Sequence, residues 1–196
     1  MRTRSRLLRT LSWLLVTAPL AQAHPGHEGD GLVWDFSGGF AHPLSGWDHL
    51  LEMIAVGLWA AQLGGRARWL VPSAFVGVMA LGAAVGHAGL MLPGVEQGIA
   101  ASVLVLGLLI ATAVRLPVAA GMTLVGIFAV FHGIAHGAEM PATAGGLSYG
   151  AGFVVATALL HAVGVGLGMG AACFSTKTTK LAGWAIAASG VVLFAL

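Results

Sequence analysis

Charge is scarce in this sequence and cysteine is almost absent: of 196 residues, 8% are Asp, Glu, Lys or Arg, and Cys173 stands alone. A soluble domain of this length would need more charge to cover its surface, so the membrane class is favoured before any motif is read. One cysteine excludes an intrachain disulfide and any cysteine-based zinc motif, and Cys173 reads most simply as a small packing residue. No GxxxxGK[ST] stretch occurs, so ATP hydrolysis is not built into the chain, and the HExxH signature of metalloproteases is missing.

What is abundant is apolar surface, with 58% hydrophobic residues and a mean hydropathy of +0.91. Arg2, Arg4, Arg6 and Arg9 precede an apolar core from Leu11 to Leu20 and the small residues Ala21 and Ala23. That order predicts a cleavable signal peptide over residues 1–23, since the apolar core is too short to span a bilayer. The remainder carries five basic and seven acidic residues, so the basic pI of about 9.2 belongs mostly to the leader and no nucleic-acid partner is expected.

After a polar N-terminal segment at 24–44, six apolar runs of spanning length follow, at roughly 47–64, 69–92, 96–114, 117–137, 146–172 and 180–196. The runs are continuously apolar instead of alternating every second residue, which predicts helices and not a barrel. The expected fold is therefore all-α: a polytopic membrane protein with a bundle of six transmembrane helices over 45–196. Arg66, Arg68, Arg115, Lys177 and Lys180 fall in alternate loops. The positive-inside rule makes those loops cytoplasmic, with the mature N- and C-termini periplasmic at the bacterial inner membrane. Thirty glycines include Gly82 with Gly86, Gly133 with Gly137 and Gly164 with Gly168, spacings that let helices approach closely. Trp47 and Trp69 fit interfacial anchors.

Helical rise then assigns depths. Asp48 and His49 sit at the outer end of the first span, with Glu52 about one turn deeper. His87 lies roughly 28 Å from the inner side, and His132 and His136 roughly 22 and 28 Å. Glu96 and Glu139 are also outside, while His161 is deeper, in the middle of the fifth span. Spacings of three or four residues put Asp48 with Glu52, His49 with Glu52, and His132 with His136 on shared helix faces, the last extended by Glu139. Imidazole with carboxylate suits Ni²⁺, Co²⁺, Zn²⁺ or Cu²⁺ better than Mg²⁺ or Ca²⁺. Ionisable groups inside a membrane point to a functional site.

Plainer readings stand beside these. His24 and His27 are either metal captors or solvated tail residues. His42, ahead of Pro43, could simply order an extended turn into the first span. Asp48 could serve the helix dipole, which leaves Glu52 unexplained. His87 or His161 could hydrogen-bond a carbonyl as packing devices.

The stretch HPLSGWDH, His42 to His49, resembles the HPxxGxDH signature of the HupE/UreJ family, membrane proteins encoded with hydrogenase and urease systems, and matches it at His42, Pro43, Gly46, Asp48 and His49. The later FHGIAHGAEMP, Phe131 to Pro141, is similar to that family too. The resemblance covers essentially the whole mature chain and implies nickel uptake. The resemblance implies that the first-span signature and histidines such as His132 and His136 take part; with the placement by depth and helix face, the metal residues are His42, Asp48, His49, Glu52, His87, His132 and His136, with His24, His27, Glu96, Glu139 and His161 as secondary candidates. Ni²⁺ would be cargo, with Co²⁺ or Zn²⁺ as substitutes, and no cofactor would be permanently bound. Expected partners are the lipid bilayer and cytoplasmic nickel chaperones or hydrogenase or urease maturation proteins. The chain is not expected to be an enzyme. Rival readings are an intramembrane zinc-dependent hydrolase, a haem carrier and a membrane scaffold for metalloenzyme assembly.

Overall fold

The computed structural model describes residues 35–140 and 144–195. The expected signal peptide over residues 1–23, His24 and His27 lie outside the described residues. Seven helices follow in order: α1 Phe36–Ser45, α2 Trp47–Leu63, α3 Ala67–His87, α4 Val95–Thr112, α5 Val118–Glu139, α6 Ala144–Phe174 and α7 Thr176–Ala195. The described residues contain no strand. This is an all-α polytopic membrane protein, as the continuous apolar runs require.

One expectation needs correction: His42 and Pro43 lie inside a helix, α1, and not in an extended turn. The pre-proline preference yields because other contacts fix the segment. The Asp35 side chain caps α1 by accepting from the Gly38 amide at 2.9 Å, and also accepts from Ser37 Oγ at 2.7 Å. Those bonds, from Ser37 first and then Gly38, hold the Asp35 carboxyl below its ordinary range. Gly39 and Gly152 further let α1 lie directly on the backbone of α6.

Among the described residues, five helices are clearly long and apolar enough to cross a membrane: those from Ala67, Val95, Val118, Gly145 and Thr176 onward. The run at 47–64 forms α2, whose 17 residues rise about 25 Å against a hydrocarbon core of about 30 Å. Its composition differs for a physical reason. It is the central helix, packed by α6, α4, α3, α1 and α7, and it carries the buried Asp48, His49 and Glu52.

Around α2 the core is assembled from Met53, Val56, Trp59, Val71, Phe75, Leu106 and Ile110, all with no exposed surface. The outward faces are equally apolar, with Leu147 86% and Leu81 70% exposed, as lipid contact demands. Glycine decides which helices meet. A side chain at Gly133 or Gly137 would run into the backbone of α3 at Met79 and Ala83, and one at Gly86 into Ile134. Gly164 meets Ile54 and Gly57 of α2 in the same way. The paired glycines read from sequence are thus close-packing surfaces.

The same contacts give the direction of each helix. Along α2 and α4, Glu52 meets Ser102 and Gln62 meets Ile110, so the two run parallel. Gly82 with Gly133 and Gly86 with Ala138 make α3 and α5 parallel, while Gly107 with Ala187 and Gly190 with Leu104 make α7 antiparallel to α4. An up-and-down bundle results. Arg66, Arg68, Arg115, Lys177 and Lys180 lie toward one end of it, and the start of α2 and the finish of α5 toward the other.

Candidate metal centre

At the end away from the basic residues, three imidazoles from three helices converge. His42 of α1, His49 of α2 and His136 of α5 each offer a ring nitrogen, and these atoms lie within 4.8 Å of one another. Their ring centroids are 5.4 Å apart for His42 and His49, 4.9 Å for His42 and His136, and 4.5 Å for His49 and His136. His49 and His136 are buried and His42 half-buried. Tyr149 and Phe153 of α6 wall the group, with Phe153 4.7 Å from His136. A compact, nitrogen-rich group of this kind suits a borderline divalent ion.

The turn between α1 and α2 sets this geometry. Asp48 Oδ1 meets His49 Nδ1 at 2.7 Å, and this bond directs the opposite edge of the ring, Nε2, at His136 Nε2. A carboxylate behind an imidazole fixes the tautomer and raises the basicity of the free nitrogen. Gly46 is extended, with φ −94° and ψ 128°, so no left-handed backbone requires glycine there. Space requires it: a Cβ at Gly46 would stand 2.8 Å from both Asp48 Oδ1 and His49 Nδ1. On the far side, His136 Nδ1 lies 3.4 Å from Glu139 Oε2, which is half exposed.

A second tier lies deeper. Glu52 and His132 have no exposed surface. Glu52 Oε2 accepts from Ser102 Oγ at 2.6 Å, whereas its Oε1 is buried without a hydrogen-bond partner. His132 Nδ1 lies 3.3 Å from the Phe128 carbonyl, and its Nε2 is buried without a partner. The His132 ring is 5.5 Å from that of His49, so the tiers are contiguous. Unmatched polar atoms in a buried interior are costly, by about 1–3 kcal/mol each, and a carboxylate oxygen and an imidazole nitrogen are both donor types that a divalent cation accepts.

Not every candidate joins. His87, the last residue of α3, is exposed, as is Glu96 in the first turn of α4. Gly86 faces α5, and one helical step of roughly 100° turns His87 out of that contact. His161 is buried but sits beyond Phe75, whose ring is 5.2 Å from it and 5.6 Å from His132. Sequence reading missed Ser102, Tyr149, Phe153 and Phe75. Ser102 alone had a signal, a hydroxyl inside the apolar run of α4; the aromatics look like any membrane-helix side chain.

The geometry agrees with what the chain resembles. The HupE / UreJ protein family matches residues 12–193. Protein HupE of Rhizobium leguminosarum bv. viciae is 44% identical over 192 residues, covering 96% of this chain and 97% of that protein. No solved structure matches. A match of this length includes both histidine stretches and the helices that carry them, and it sets aside the hydrolase reading, because members of this family are membrane transporters and not enzymes. The chain belongs to the HupE/UreJ family.

Proposed function

We propose that this protein is a secondary, ATP-independent nickel permease of the bacterial inner membrane, supplying Ni²⁺ for hydrogenase or urease maturation. The observation that carries the reading is the convergence of His42, His49 and His136 from three helices on one small volume, backed by Asp48 and continued inward by Glu52 and His132. Nickel is favoured over Co²⁺ or Zn²⁺ by family membership, and the nitrogen-rich ligand set is compatible with all three.

In this reading α2 is a sixth span, short because it is enclosed by other helices and does not meet lipid along its length. The basic loops face the cytoplasm and the histidine group the periplasm, with a cleaved leader ahead of residue 24. Ni²⁺ exchanges water for His42, His49 and His136, then passes to Glu52 and His132. Each step replaces one ligand with another, so no naked dication meets hydrocarbon, where even a single charge costs of order 20 kcal/mol in the idealised limit. An inside-negative potential favours inward movement of a dication by about 4.6 kcal/mol per 100 mV, twice the single-charge value. His24 and His27, if ligands, act ahead of this path, Glu139 acts through His136, and His87 and Glu96 stay outside it. Cytoplasmic nickel chaperones or maturation proteins receive the ion.

Accumulation of radioactive nickel in cells lacking other nickel importers tests the reading, comparing the intact chain with His49→Ala and His132→Ala at matched membrane abundance. Uptake that depends on the intact chain and is lost in both variants is the expected result. No uptake with the intact chain would refute transport and leave the scaffold reading.

A further inference from the structure

The aromatic rings continue below the second tier in single file: His132, then Phe75, then His161. Phe75 of α3 is fully buried and stands nearly perpendicular to His161, at 86°. His161 is 1% exposed, and neither of its ring nitrogens has a hydrogen-bond partner. A packing histidine would bond at least one nitrogen to a carbonyl or hydroxyl, so packing leaves this residue unexplained. His161 also lines a crevice of about 370 Å³ between α3 and α6, together with Arg68, Pro72, Val165 and the exposed Ser73 and Gly77. The crevice follows α3 from Gly77 to Arg68, roughly 14 Å by helical rise, so it reaches the end of the bundle where the basic residues lie.

We infer that Phe75 is a gate between the outer histidine tiers and an inner metal ligand, His161, and that the crevice between α3 and α6 is the exit for a divalent transition-metal ion. The inference rests on the importer reading and adds its cytoplasmic half. In the conformation described, the path is closed: an apolar ring between two imidazoles offers no ligand, and a hydrophobic constriction excludes a hydrated ion. Displacing the ring brings His132 and His161 into line for handover. The imidazole then releases the ion beside Ser73, and the inside-negative potential draws it along the crevice to the basic end of the bundle.

Gly77 allows a test that spares the core, because a Cβ added there meets nothing within 4 Å. Gly77→Phe fills the crevice and removes a helix-interior glycine, with no propensity cost. The full-length protein, Gly77→Phe, His161→Ala and Phe75→Ala are compared in liposomes for Ni²⁺ flux and in detergent for Ni²⁺ binding at equilibrium. For Gly77→Phe and His161→Ala, binding to the outer group should stay within about twofold, as expected for distant, uncoupled sites. Flux in both should fall about tenfold or more, the scale of a lost metal-site contact. Phe75→Ala should carry Ni²⁺ faster than the intact chain.

If the intact chain transports and Gly77→Phe and His161→Ala transport equally fast, the exit is overturned while the importer reading stands, and the crevice holds a lipid chain. Flux unchanged or lowered in Phe75→Ala, with outer binding retained, overturns the gate. An intact chain that binds Ni²⁺ without carrying it refutes the importer reading itself.

Discussion

Asp48 and His49 are neighbours in sequence, yet the carboxylate turns back on the ring beside it, Oδ1 to Nδ1 at 2.7 Å, and leaves Nε2 facing His136. The ring so oriented, through its Nε2 contact with His136, joins the start of α2 to the last turn of α5. In the proposed site this arrangement fixes the tautomer of His49 and gives Asp48 a supporting part, contributing charge and orientation.

Replacing that carboxylate by its amide should therefore weaken metal binding without unfolding the chain. Asp48→Asn keeps the shape but can present an NH₂ group to Nδ1, which favours the opposite tautomer and places a proton on Nε2. Nickel affinity should fall by about 10–100-fold, as for other supporting partners of ligand histidines. Equilibrium binding of Ni²⁺ to purified protein checks this; affinity equal to that of the intact chain would remove Asp48 from the site.

Gly46→Ala should be more damaging than a surface glycine change. The added methyl would sit 2.8 Å from both Asp48 Oδ1 and His49 Nδ1, so the pair must move apart or the turn must shift. Overpacking of this kind costs about 1–3 kcal/mol. The expected outcome is a lowered melting temperature together with loss of uptake, whereas Gly166→Ala, where a Cβ meets open space, should leave both unchanged.

Ser102→Ala should leave Glu52, fully buried, without the donor that its Oε2 accepts from. Stripping the partner from a buried acceptor costs about 1–3 kcal/mol. Thermal unfolding in detergent should show that loss, and added Ni²⁺ should recover part of it by binding the folded state. A Ser102→Ala protein as stable as the intact chain would mean that Glu52 finds another partner.

Acid should inhibit uptake. A protonated imidazole has no lone pair for metal, so protons and Ni²⁺ compete for the same ring nitrogens and ligand capacity is lost as pH falls. Ni²⁺ flux into liposomes at fixed membrane potential should therefore decline as the medium is acidified. Flux that holds constant on acidification, with the protein still folded, would count against capture by histidine.

Sequence by itself determined α2 to α7 and most of their bounds. Apolar runs are local features, and the bilayer's demand that backbone bonds close within each segment leaves only one structure for them. It also marked the HPLSGWDH turn and the His132 and His136 pair, since two imidazoles four apart share a face wherever their helix goes. Only the tertiary structure decided which of these meet. His49 and His136 are 87 residues apart, and their contact depends on the α1 turn and on the close glycine packing of α3 with α5 and of α2 with α6, which hydropathy does not encode. The same packing turned His87 outward, set Ser102 against Glu52 and stood Phe75 between His132 and His161. In a membrane every helix has an apolar surface to offer, so partner choice comes from the shape of the faces brought together, and shape exists only once the helices are assembled.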